Sequence, residues 1–151
     1  MSDAPSRLSV TLRPVDADNW RAVAGLEVTP EQRAFVAQPS YYLALCCYDT
    51  WNPLAIYASE QVVGFMMWGI DDDKSCWLGG VLVNQAQQRR GHGRDAVVEA
   101  VAILGEKTGS EVFALSYLPS NTVARRLYQQ LGFVETGELE DDEVVARKVV
   151  S

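Results

Sequence analysis

The sequence is short of the residues that metal and disulfide chemistry need. It has one histidine, His92, and three cysteines, Cys46, Cys47 and Cys76. A lone histidine with no partners at ligand spacing argues against a zinc centre, and no metal is expected. Three is an odd count, and the neighbours Cys46 and Cys47 are poorly placed to bridge each other. The cysteines therefore read as small buried hydrophobes in a reducing compartment. No run of about 18 apolar residues occurs, so no membrane span is expected. The opening MSDAPSRLS contains no apolar signal region; export is not expected, and a cytoplasmic location is. Basic residues are scarce too, 13 Lys and Arg against 20 Asp and Glu, a formal charge of −7. That balance disfavours nucleic-acid binding, which needs a basic surface, and suits a cationic partner.

What remains is an ordinary globular composition. A chain of 151 residues that is 48% hydrophobic can bury one core, so residues 1–151 read as a single domain. SVTLRPV alternates Val10 and Leu12 as a first strand. Asp18 stands where a helix cap would, before Trp20, Val23 and Ala24 on one face. TPEQ is a second helix start, with Thr29 as cap, Pro30 at the first position and Gln32 reaching back; it should stop before Pro39. YYLALCCYD predicts a third short helix. PLAIYASEQVVGFMMWGI predicts two strands around a turn at Ser59 to Gln61, and SCWLGGVLV another strand. A long helix follows from Gly91 to about Lys107, with Val97, Val101 and Leu104 as its stripe, and Gly109 ends it. EVFALSY is a strand. SNTVARRLYQQLG is a helix whose Val123, Leu127 and Leu131 fall four apart as a core face. FVETG and EVVARKVV are two final strands. This order predicts an α/β chain, a mixed, mostly antiparallel sheet with helices on both faces.

Against the acidic background, QQRRGHGRD (Gln87 to Asp95) gathers Arg89, Arg90, His92 and Arg94 around Gly91 and Gly93. It lies between a strand end and a helix start. Backbone N–H groups and the helix dipole converge there on an anion, and glycine lets a phosphate approach the backbone. A tight turn with solvated arginines would look the same from this stretch alone. The helix at Asn121 adds to it. Asn121 and Tyr128 are seven apart and share a face, read as opposite the Val123 stripe, so an amide and a phenol point together away from the core.

Here the sequence resembles the GCN5-related N-acetyltransferases (GNAT). Their acetyl-CoA motif, Gln/Arg-x-x-Gly-x-Gly/Ala, is met by Gln88, Gly91 and Gly93. Their later Asn-x-x-Ala-x-x-x-Tyr signature with a nearby Gly-Phe is met by Asn121, Ala124, Tyr128, Gly132 and Phe133. Within the family, the stretches LSYLPSN, RRLYQQLGF and GELEDDEVV are most similar to bacterial spermine/spermidine N-acetyltransferases.

The resemblance implies transfer of an acetyl group from acetyl-CoA to a primary amine, with a polyamine as first substrate. It implies that backbone groups of Val81 and Val83 hold the pantetheine arm. Gln88 and the amides of Arg89, Arg90, Gly91, His92, Gly93 and Arg94 would hold the pyrophosphate. Asn121 would touch the cofactor, although it serves equally as a helix cap. Tyr128 would be the general acid: a phenol with an ordinary pKa of about 10 is protonated at neutral pH and can donate to a leaving thiolate.

One departure stands out. Relatives often carry an acid on the strand before the pantetheine contact, where this chain has Gly79-Gly80. Replacement acids could come from Glu27, Glu31, Asp49 or Asp71 to Asp73, though DDD and ELEDDE read more simply as polar turns. Trp51, Tyr57, Trp68 and Trp77 are core or an amine pocket. An amino acid, a peptide N-terminus or an amino-sugar drug is the alternative acceptor, and a non-catalytic acyl-CoA sensor the alternative function. Unpaired strands at the end of the sheet predict a homodimer.

Overall fold

The computed structural model describes residues 9–150; the N-terminal stretch read for a signal region falls almost wholly outside them. The elements follow the predicted order. They are β1 (Thr11–Pro14), α1 (Trp20–Ala24), a 3-10 turn (Pro30–Ala34) and α2 (Pro39–Tyr48). Then come β2 (Asn52–Ala58), β3 (Gln61–Ile70), β4 (Cys76–Val83), α3 (His92–Thr108), β5 (Val112–Tyr117), α4 (Thr122–Gln130), β6 (Val134–Glu140) and β7 (Glu143–Val149).

Alternation along the central strands sets the layers. In β2, Leu54 and Ile56 turn to one face and Ala55 to the other; in β3, Met66 takes the first face, Phe65 and Met67 the second. Side chains alternate with a period of two along a strand. Because both sets are buried, the sheet needs cover on both sides. α3 and α4 cover the first face through Ala96, Val97, Ala100, Leu104 and Tyr128. α1 and α2 cover the second through Val23, Tyr42, Leu43 and Cys46.

One seven-stranded sheet runs β1-β2-β3-β4-β5-β7-β6. All neighbours are antiparallel except β4 and β5. Of the last two strands, only β6 is an edge; β7 lies between β5 and β6. Ser59 and Glu60 both take positive φ and close the β2–β3 hairpin where the turn was predicted.

Several local expectations are corrected. Asn19, not Asp18, is the N-cap of α1, and it makes no side-chain cap bond; its amide is spent on Pro14 O and Tyr57 Oη. Thr29 caps no α-helix: the segment is a 3-10 turn without a side-chain cap bond, and Gln32 accepts from Gln88 instead of reaching back. Cys76 is buried and Cys46 half-buried, but Cys47 is exposed. In α4, Val123 is 75% exposed while Tyr128 is buried. The core stripe there is Ala124, Leu127, Tyr128 and Leu131, so Tyr128 does not lie opposite the core.

Candidate active site

The site begins with a break in the sheet. β4 and β5 pair only at Cys76↔Phe113 and Trp77↔Ala114. Beyond that, β4 pairs with β3 alone. A β-bulge shifts the β3–β4 register between Phe65 and Met67, leaving Gly80 and Val81 opposite the single residue Met66. Gly80 sits at φ +59, a left-handed conformation that suits glycine and bends a bulged strand. β4 and β5 diverge, and the gap becomes a cavity of about 490 Å³. One wall is Leu78, Gly79, Gly80 and Val81; the other is Leu115, Ser116, Tyr117 and Leu118. Backbone groups of β4 that have no strand partner border this gap, as an extended ligand arm would need. Val81 lines it, and Val83 closes β4 beyond it.

The basic glycine loop continues from Val83. Gln88 Nε2 donates to Val83 O at 2.9 Å and to Gln32 Oε1 at 2.7 Å, tying the loop to β4 and to the 3-10 turn. Gln85 N–H donates to Glu27 O, and Glu27 N–H to Asn84 Oδ1. The loop therefore has a fixed shape. Gly91 caps α3 at φ +81, with no side-chain cap bond, and the first bond of the helix runs from Asp95 N–H to Gly91 O. The N–H groups of His92, Gly93 and Arg94 are the unpaired donors of this helix start. A Cβ on Gly91 would meet nothing within 4 Å, so the cradle is open. Arg89, Arg90 and Arg94 are exposed beside it. These features fit a polyanion. The imidazole of His92 does not share in it: it is buried, with Nδ1 2.9 Å from Ser9 Oγ. His92 can serve the cradle only through its backbone.

Asn121 and Tyr128 do share the cavity. Asn121 also caps α4, accepting from Ala124 N–H at 3.3 Å. Tyr128 is 9% exposed, stacked on Tyr117 at 5.8 Å and edge-on to Phe133 at 6.0 Å between ring centroids. Its hydroxyl has no protein hydrogen-bond partner among the described residues and opens into the cavity. Burial pushes its phenol up to about 12, with a further rise from Tyr42. The group is thus a protonated donor throughout the neutral range. By contrast, the Tyr117 hydroxyl is spent on Glu135 Oε2 at 2.6 Å.

The remaining lining was only partly visible in the sequence. Asp71, Glu140 and Glu143 line the cavity, and among the described residues no Lys, Arg or His does. DDD forms the β3–β4 turn, as the simpler reading had it, with Asp71 facing the site; in ELEDDE only Asp141 and Asp142 are a turn, while Glu140 ends β6 and Glu143 begins β7, both facing the site. Ser116 donates to Glu143 Oε1 at 2.7 Å. Trp51 and Trp77 line the cavity, with Tyr42 and Phe35. Trp68 packs in the core, and Tyr57 lies under the Arg13 guanidinium at 4.2 Å. Glu27, Glu31 and Asp49 are not part of the lining.

The family model described as "Acetyltransferase (GNAT) family" matches residues 20–133. A spermine/spermidine N(1)-acetyltransferase of Bacillus subtilis (strain 168) is 28% identical over 142 residues, covering 88% of this chain and 93% of that protein. Among solved structures, the aminoglycoside acetyltransferase AAC(6')-Ib with coenzyme A and kanamycin superposes with a TM-score of 0.75. It is 17% identical and covers 93% of this chain and 95% of that one. A spermidine N-acetyltransferase from Vibrio cholerae, with CoA and spermine, gives a TM-score of 0.72 at 17% identity, covering 92% and 93%. With a glycine loop opening α3, Tyr128 in the cleft between β4 and β5, and the family model matching residues 20–133, the chain belongs to the acetyltransferase (GNAT) family of acetyl-CoA-dependent enzymes.

Proposed function

We propose that this protein moves an acetyl group from acetyl-CoA to a primary amine of a polyamine, spermine or spermidine being the first candidates. One observation carries the substrate class: among the described residues the cavity is lined by three carboxylates and several aromatic rings, and by no basic side chain. A cleft of one charge sign concentrates counter-ions, and aromatic faces attract ammonium groups. An amino acid would need a cation for its carboxylate, and none of the described residues supplies one in the lining. The Bacillus subtilis relative supports the same reading.

Acetyl-CoA supplies the activated acetyl group. The N–H groups of His92, Gly93 and Arg94 bind its pyrophosphate, the exposed arginines add charge, and the free edge of β4 along Val81 aligns its arm. As the neutral amine nitrogen bonds to the acetyl carbon and the carbon–sulfur bond breaks, Tyr128 Oη gives its proton to the departing sulfur. The surplus proton on the nitrogen passes to water in the open cavity, and the phenolate regains a proton from there. Holding both reactants in one cleft supplies a further large share of the rate.

The test is a panel of amines with acetyl-CoA, read as released thiol. Spermine and spermidine should give release well above background, and amino acids should not. Release with amino acids but with no di- or polyamine would overturn the substrate class. Aminoglycosides are polycations that suit the same lining, and kanamycin belongs in the panel for that reason.

A further inference from the structure

The acids around the cavity fall into two sets. Glu138 and Asp73 are engaged by Arg147, and Glu135 by Arg125. Asp71, Glu140 and Glu143, which line the cavity, have no ion-pair partner among the described residues. Glu143 alone of these three is held by another side chain. Ser116 fixes its Oε1 at 2.7 Å, and Oε2 meets no protein donor among the described residues.

A second observation points to a ligand in the same space. Tyr128, nine-tenths buried, aims an unpartnered hydroxyl into the cavity that Glu143 lines. Tyr42 lines the same cavity. Burial pushes its phenol up, the bond from Ala37 N–H opposes this, and the Glu143 charge adds to the rise. β4 offers no carboxylate on its own wall. A Cβ on Gly79 would stand 3.4 Å from Trp51, and one on Gly80 3.4 Å from Tyr42. Rings therefore occupy that wall, and the fixed negative charge comes from β7 opposite.

We infer that Glu143, oriented by Ser116, binds a second, non-reacting ammonium of the acceptor while the terminal amine stands at Tyr128. This rests on the polyamine reading above. A carboxylate beside the reacting nitrogen would stabilise its protonated, unreactive form. Placed at a distant nitrogen, the same charge anchors the chain without that cost. Glu143 then selects polyamines over monoamines, with Trp51 and Trp77 along the intervening methylenes.

The experiment compares kcat and KM for spermidine and for a simple alkyl monoamine in the wild type and in Glu143→Gln, which keeps the shape and removes the charge. Folding is checked by circular dichroism and by acetyl-CoA affinity. For spermidine, kcat/KM should fall about tenfold or more through KM, the scale of a charged hydrogen bond. The monoamine should lose less than about threefold. Ser116→Ala, which frees Glu143, should move spermidine KM the same way by a smaller factor, and it decides the matter if Glu143→Gln does not fold. An unchanged spermidine-to-monoamine ratio overturns the assignment and leaves the polyamine reading standing. An equal loss of kcat on both amines also overturns it, by placing Glu143 at the reacting nitrogen. No wild-type turnover of any di- or polyamine removes the parent reading, and this inference with it.

Discussion

The indole of Trp51 lies over Gly79 so closely that a Cβ there would stand 3.4 Å from the ring, and 3.2 Å from Met67 Cε. The neighbouring Gly80 is roofed by Tyr42 and backed by Phe65, at 3.4 and 3.3 Å from the same added atom. The double glycine is thus the floor of an aromatic wall. Gly80 also needs positive φ, whereas Gly79 does not. Gly80→Ala should therefore destabilise the protein by about 1–3 kcal/mol, the cost of a strained left-handed residue. Gly79→Ala should cost less, because the end of Met67 can shift. Urea denaturation of both variants checks the order. Equal midpoints for Gly80→Ala and wild type would mean the bulge does not require glycine.

Much of this was legible in the sequence. Strand periodicity, the glycine punctuation at Gly91 and Gly109, and the loop joining Gln88 to Gly93 all depend on local chemistry. α4 shows where that legibility ends. Helical residues turn by about 100° each, so Tyr128 and Asn121 lie about 40–60° from Ala124, Tyr128 within the core stripe and Asn121 at its margin. Val123 lies about 100° away on the other side. The four-residue spacing of Val123, Leu127 and Leu131 assigned Val123 to the core, whereas packing on Tyr117 and Phe133 draws Tyr128 inward. Glu143 was illegible for another reason. Its contact with Ser116 joins residues 27 apart and exists only because β7 inserts between β5 and β6.

The open cradle at Gly91 gives the second prediction. Gly91→Glu should weaken acetyl-CoA binding about tenfold or more, since it sets a negative charge where phosphate approaches. Gly91→Ala meets no neighbour and should act mainly through strain at φ +81, with a smaller effect on affinity. Calorimetry on folded variants separates the two. Unchanged affinity in Gly91→Glu would move the pyrophosphate elsewhere.

For Tyr128, removal of the hydroxyl deletes no hydrogen bond to the described residues, so Tyr128→Phe should fold as stably as the wild type. Turnover should fall roughly tenfold or more, the lower range for a positioned acid, with acetyl-CoA affinity kept. Because burial lifts the phenol to about 12, the group stays protonated as pH rises through the ordinary tyrosine value near 10. Wild-type kcat should therefore show no alkaline fall from this residue between pH 8 and 10, within the stable range, by roughly the arithmetic of that shift. Undiminished single-turnover rates in Tyr128→Phe would assign the ring to packing.

β6 ends the sheet and exposes Val134 and Leu139 at 67% and 69%. An unpaired edge with exposed apolar side chains invites a second chain. A homodimer through β6 is expected by light scattering, and Val134→Lys with Leu139→Lys should return it to a monomer. A wild-type monomer mass at working concentration would remove the dimer.

The last prediction concerns salt. Asp71, Glu140 and Glu143 carry negative charge into an open cleft with no cation among the described lining residues. Attraction there acts through water and is weak for any single pair. Spermine brings several positive charges to several carboxylates at once, so the attraction accumulates. Raising salt from about 0.1 M to about 1 M shortens the screening length from about 10 Å to about 3 Å. That removes the longer-range part while leaving contacts at bonding distance. KM for spermine should rise several-fold over this range, that for spermidine less, and that for a monoamine least, while kcat changes little. The order matters more than the size, because a general salt effect on folding or cofactor binding would move all three together. A spermine KM as flat as the monoamine's would mean that shape and aromatic contact, rather than the acidic lining, select the substrate.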